Sequence, residues 1–187
     1  VNAQGEIDNS INFPTELLKN ETRFGAEGII LIGDSLWVAI QRPWKDDADN
    51  QAKLLAYNLT KKSWGAVHYP LESVNKGWVG LSEITSYGDS VYIIERDNQI
   101  GEDASIKRLY KVKHSELNPA IIGKALPVVS KTLVRDFLPD LRSLNGYVQD
   151  KIEGFTIDTS GTGYALTDND GVDDSSGETL FFSTGKM

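Results

Sequence analysis

One stretch of 18 residues recurs through this chain, and that recurrence limits the fold more than anything else in the sequence. AEGIILIGDSLWVAIQRP (26–43) and LSEITSYGDSVYIIERDN (81–98) share Gly33-Asp34-Ser35 and Gly88-Asp89-Ser90, 55 residues apart. At the same offset Trp37 falls on Tyr92, Gln41 on Arg96, and Pro43 on Asn98. A third copy, EGFTIDTSGTGYALTDND (153–170), needs one extra residue in its turn and places Tyr164 where the others have Trp37 and Tyr92. Each copy reads as a hairpin: a short apolar strand, a Gly-containing turn, then an aromatic and β-branched strand at Leu36–Ile40, Val91–Ile94 or Tyr164–Leu166. A polar loop follows, then another strand at Lys53–Leu59, Arg108–His114 or Thr179–Ser183. Leu54 and Leu109 are also 55 residues apart, so the repeat runs past the turn. Fourth strands are expected at Trp64–Tyr69 and Thr132–Val134.

Three or four antiparallel strands per unit, repeated at 55 and about 72 residues, is the pattern of β-propeller blades with loop insertions. A β-sandwich is the alternative, but it explains the shared turn and not the repetition of strand, turn, strand, loop and strand. The expected fold is therefore all-β, a single propeller domain over 1–187 with about three four-stranded blades, at approximately 24–70, 78–134 and 150–185. Propellers close with about four to eight blades. These three are thus expected to belong to a larger ring of six or seven, the rest supplied by missing residues or another chain. Helical spacing is confined to Pro14–Lys19 and Val134–Leu144, with Pro139 expected to interrupt the second.

The 187 residues hold 19 Lys+Arg against 27 Asp+Glu, a formal charge of −8, which disfavours a nucleic-acid partner. There is no Cys, so thiol catalysis and Cys-based zinc sites are excluded. No apolar run approaches the roughly 18 residues of a membrane helix. The chain begins at Val1, so either a removed leader or a longer parent chain is expected.

Three segments, GAEGIILIGDSLWVAIQRP (25–43), GLSEITSYGDSVYIIERDN (80–98) with KRLYKV (107–112), and KIEGFTIDTSGTGYALTDNDGVDDSSGETLFF (151–182), resemble a bacterial family described as "esterase-like activity of phytase". The matching features are a Glu-Gly strand start, a Glu-Arg-Asp blade end and an acidic Asp-Asn-Asp-Gly…Gly-Glu-Thr blade end. VRDFLPDLRSLNGYVQDKIEG (134–154) is similar to the segment before the family's final Glu-Gly strand. The likeness covers most of 20–183, as the C-terminal portion of a longer domain. It implies a propeller, export to the periplasm or beyond, and hydrolysis of phosphate or carboxylic esters. The first copy departs from the pattern, ending Gln41-Arg42-Pro43 without the acidic pair.

In a propeller, equivalent positions of successive blades converge at the channel. Glu27 and Glu153 occupy matching positions, and Glu83 stands one residue beyond the equivalent Ser82. Gln41/Arg42, Arg96/Asp97 and Asp168/Asn169 match at the hairpin's other end. Glu27, Glu83, Glu153, Arg42 and Arg96 are therefore the catalytic candidates: carboxylates for a hard cation, guanidinium groups for an anionic substrate. Capping of neighbouring strand ends by the same glutamates is an equally open reading. Asp168, Asp170, Asp173, Asp174 and Glu178 are the candidate metal ligands, because a carboxylate run this dense repels itself unless neutralised, and Ca²⁺ takes six to eight oxygens. The spacing is not that of an EF-hand. His68 and His114 are the only histidines, no Gly-x-Ser-x-Gly occurs, and Ser73-Val74-Asn75-Lys76 matches Ser-x-x-Lys by chance. Trp37, Tyr92 and Tyr164 are expected in the core, while Trp44, Trp64 and Trp78 lie near loops, with packing expected over ligand contact. Two functions remain at this point: an exported, metal-dependent ester hydrolase, and a non-catalytic binding propeller with structural calcium.

Overall fold

The Gly-Asp-Ser turns set the register of everything that follows. In the computed structural model, which describes residues 2–148, 151–169 and 179–187, Ile32 pairs with Ser35 and Tyr87 with Ser90. Each turn is thus a two-residue loop with Gly first. Gly33 and Gly88 have φ of +56° and +62°, which a side chain would resist. The third turn is longer, and the Asp158 carboxylate accepts the Ser160 and Thr162 N–H groups.

The strands are β1 (Ala26–Ile32), β2 (Ser35–Ile40), β3 (Gln51–Asn58), β4 (Ser63–Pro70), β5 (Val79–Tyr87), β6 (Ser90–Asp97), β7 (Lys107–Lys113), β8 (Ala120–Ile121), β9 (Thr132–Asp136), β10 (Lys151–Ile157), β11 (Thr162–Asp168) and β12 (Phe181–Lys186). They form three antiparallel sheets in the orders β1-β2-β3-β4-β8, β5-β6-β7-β9 and β10-β11-β12. The chain is all-β with few helices, as the repeats require. Among the described residues the three sheets do not close into a ring.

The second sheet stands between the other two. Its first strand, β5, lies against β1 on one side and β10 on the other. Trp37, Leu54 and Tyr69 of the first sheet pack on Leu81, Ile93 and Val112 of the second. Tyr92, Ile94 and Leu109 pack on Ile152, Phe155 and Ala165 of the third. Trp37 pairs with Ile30, Tyr92 with Thr85, and Tyr164 with Thr156, so the aromatic residues keep one register through all three hairpins. Trp37 and Tyr92 are buried where a following sheet covers them. Tyr164 departs from the expected core position: among the described residues no further sheet covers it, and it is partly buried, stacking on Phe181 at 5.7 Å.

Two helices differ from expectation in extent. α1 (Thr15–Leu18) is one turn, anchored by buried Leu17. α2 (Leu138–Asn145) starts later than its spacing suggests, because Val134 belongs to β9. Pro139 does not interrupt this helix. It lies in the first turn, where the missing N–H leaves no helical bond unmade. Trp44 is in the core, the packing role expected of it, its indole N–H donating to the Phe24 carbonyl at 2.8 Å.

Candidate functional site

A β-bulge recurs at the same place in each sheet. The register shifts between Ala26 and Gly28 in β1, between Leu81 and Glu83 in β5, and between Ile152 and Gly154 in β10. The residue left out of the pairing is Glu27, Ser82 or Glu153. A bulge re-aims the side chain that carries it. Because β5 touches both β1 and β10, three such side chains come to one end of the molecule.

Arg96, opposite Gly80 near the end of β6, ties them together. Its Nη2 donates to Glu153 Oε1 at 2.7 Å and its Nε to Ser82 Oγ at 2.9 Å. Gln41, the Arg96 counterpart, donates from Nε2 to Glu27 Oε1 at 2.6 Å. Burial raises the Glu27 carboxyl above its ordinary value, and the Glu153 charge adds to this; Arg96, Lys151 and the Gln41 bond oppose. Glu27 and Glu153 thus sense one another, one carboxyl bound to an amide and the other to a guanidinium group. Acid/base chemistry uses pairs of carboxyls whose surroundings differ in this way.

Glu83 does something different. Its Oε1 lies 2.7 Å from the Cβ position of Gly28 and accepts the Ile84 N–H at 2.8 Å. It also accepts a backbone N–H from Phe155 on the next sheet. Burial nonetheless raises its carboxyl. Glu83 is therefore a backbone cap wedged between sheets, apart from the Glu27–Glu153 pair.

Arg42 lies in a column of alternating cations and rings. Its guanidinium carbon is 4.5 Å from the Phe24 centroid and 4.7 Å from that of Trp78. Arg23 stands over Phe24 at 4.7 Å and Arg96 over Trp78 at 5.7 Å. Desolvation, with the Arg23 charge, lowers the Arg42 pKa. Among the described residues Arg42 Nε is buried without a hydrogen-bond partner, and neither Arg23 nor Arg42 pairs with a carboxylate. On a chain of net charge −8, this rim is locally cationic. The sequence reading missed Arg23 and Phe24. Of this column the sequence marks Arg42 and Arg96 as candidates and Trp78 as an aromatic near a loop.

Asp97, the acidic neighbour of Arg96, is structural: it is buried, pairs with Lys107 at 3.0 Å and accepts the Ser105 and Ile106 N–H groups. Asp168 ends β11, exposed and opposite Lys151. The other candidate metal ligands, Asp170, Asp173, Asp174 and Glu178, lie outside the described residues. Among the described residues no three His, Cys, Asp or Glu side chains converge as a metal site. Of the histidines, His114 Nε2 lies 3.2 Å from Ser86 Oγ on the exposed surface, and His68 Nε2 lies 2.8 Å from Asp47 Oδ1. Neither contact is legible in the sequence spacing.

No helix among the described residues is long and apolar enough to cross a membrane. No curated protein and no solved structure matches the chain. The phytase-like family model, described as esterase-like activity of phytase, matches residues 1–171. The Glu-Gly strand starts that suggested this assignment carry the bulges, Arg96 of the Glu-Arg-Asp blade end ties them together, and the chain belongs to the phytase-like family.

Proposed function

We propose that this chain is part of an exported, phytase-like β-propeller whose rim binds and hydrolyses an anionic ester, phosphate or carboxylic. The observation that carries the reading is the meeting of Glu27, Glu153 and Arg96, drawn from three repeats by equivalent bulges and one β6 position. Arg42 and Arg23 receive the anionic group, their charge unspent on any carboxylate among the described residues. Glu27, whose carboxyl burial raises, serves the leaving group, and Glu153 pairs with Arg96. The acidic run 168–178 takes Ca²⁺, which supplies charge neutralisation when bound.

Two further features support a propeller arc continued on both sides. Ile29 and Leu31 are exposed on the outward face of the first sheet, and Leu166 and Phe181 on that of the third. Further blades would pack on these four side chains. Periplasmic or secreted location belongs to the same reading.

The test is hydrolysis of 4-nitrophenyl phosphate. Glu27→Gln lowers kcat about 100-fold or more, Arg42→Ala raises KM, and a chelator abolishes turnover. Calcium at millimolar level raises Tm by mass action. Turnover unchanged in both variants rejects the hydrolase. A calcium-dependent Tm without turnover leaves a binding propeller with structural calcium.

A further inference from the structure

A second assembly of ionisable groups lies on the outward face of the first sheet, beneath α1 and the 122–126 loop, in a cavity of 490 Å³. Its floor is built from β3, β4 and the turn after Trp44. Lys53 Nζ donates to Asp46 Oδ1 at 2.7 Å and to Asp47 Oδ2 at 2.6 Å, and the Trp44 N–H donates to Asp47 Oδ2 at 2.8 Å. The remaining oxygen of Asp47, Oδ1, meets His68 Nε2 at 2.8 Å. The side chains of Asp47 and Lys53 are 0% and 2% exposed. Burial pushes the Asp47 carboxyl up, but the bonds from His68, Lys53 and Trp44 outweigh it and hold the group below its ordinary value. In the neutral ring, a bond from His68 to the Asp47 carboxylate puts the proton on Nε2 and leaves Nδ1 as the acceptor.

That Nδ1 has no hydrogen-bond partner among the described residues, and His68 lines the cavity with 14% of its side chain exposed. A buried carboxylate that fixes one imidazole nitrogen, with the other left without a partner beside a cavity, is the arrangement of an oriented general base. Lys19 and Lys124 line the cavity, together with Glu16, and Ile122 and Leu126 give it an apolar wall.

We infer that Asp47 and His68 form a general-base dyad that hydrolyses short carboxylic esters with an acidic tail, at a site separate from the Glu27–Glu153 rim. Water attacks the acyl carbon and gives its proton to Nδ1 of His68, while Asp47 stabilises the imidazolium. The tetrahedral intermediate collapses with cleavage of the ester C–O bond, and the departing alkoxide takes the proton back from Nδ1. Acid and alcohol leave, and His68 returns to its starting form. Lys19 and Lys124 hold the tail carboxylate, and the apolar wall holds the short chain between. The lining has no Ser or Thr, so water is the nucleophile.

The probe is 4-nitrophenyl hydrogen succinate, with 4-nitrophenyl acetate as its uncharged counterpart, on the full chain. His68→Gln, whose amide can still donate to Asp47, lowers kcat for both esters about 100-fold or more and leaves KM within about two-fold. Lys19→Ala with Lys124→Ala raises KM for the succinate ester alone. His114→Gln changes neither, and in that background diethyl pyrocarbonate silences the protein by modifying His68, with recovery in hydroxylamine; this arm holds even if His68→Gln fails to fold. Acyl-ester turnover that persists in His68→Gln and after modification overturns the inference, as does wild-type protein without turnover. Turnover that instead follows Glu27→Gln also overturns it and leaves the rim reading standing.

Discussion

Arg96 Nη2 donates to Glu153 Oε1 at 2.7 Å, joining the second strand of the middle sheet to the bulge of the third. The guanidinium is 3% exposed and its Nε is engaged by Ser82. Arg96→Ala therefore leaves Glu153 without its cation and Ser82 without its donor. A loss of about 2 kcal/mol or more is expected by thermal or urea unfolding. Arg96→Lys recovers only part, because one ammonium cannot reproduce the fork that reaches both partners.

Glu153 acts on Glu27 through charge. After burial it is the main influence raising the Glu27 carboxyl. Glu153→Gln is expected to lower the Glu27 pKa, read from the carboxyl carbon shift in an NMR titration. An unchanged midpoint means the two carboxyls do not share a site.

Glu83 gives a pH dependence of definite sign. Its folded-state pKa is raised from 4.5, so the folded form binds its proton more tightly than the unfolded chain does. The contribution of this group is fully present below the unfolded value and is lost as pH rises through the folded one. Glu83→Gln is neutral throughout, so the fall in Tm as pH rises above about 4.5 is expected to be shallower than in wild type. An identical slope assigns the dependence to other groups.

At Gly28 β1 lies close against β5. A Cβ there would lie 2.7 Å from Glu83 Oε1 and 2.8 Å from the Ile84 backbone nitrogen, so relief needs movement of a strand. Gly154, its counterpart in β10, would meet only the Leu166 side chain, at 3.1 Å. Gly28→Ala is expected to cost about 1–3 kcal/mol and Gly154→Ala less. Equal unfolding midpoints for the two variants refute this difference.

The hairpins were legible because their signals are local. Gly33-Asp34 and Gly88-Asp89 specify turns within a few residues, and the 55-residue offset carries the register to Trp37 and Tyr92. β8 was missed because two residues paired with β4 through Ala120 and Ile121 make no pattern. The repeat alignment placed Glu27 and Glu153 at equivalent positions and Glu83 one residue beyond, but it did not reveal the different role of Glu83. That distinction depends on the bulge, which sends Ser82 to the rim and turns Glu83 into the seam. The column through Arg23, Phe24, Arg42 and Trp78 joins residues from β1's approach and β5's start, and only tertiary packing brings them together. His68 meets Asp47 across 21 residues for the same reason.

The unpaired position in each first strand separates two demands that usually compete. A residue inside a ladder must suit its cross-strand neighbour, whereas Glu27 and Glu153 answer to no opposite residue. Their chemistry is thereby released from the grammar of sheet assembly. The rim can exchange acid for amide or hydroxyl at these two points while the hairpins beneath keep their alignment.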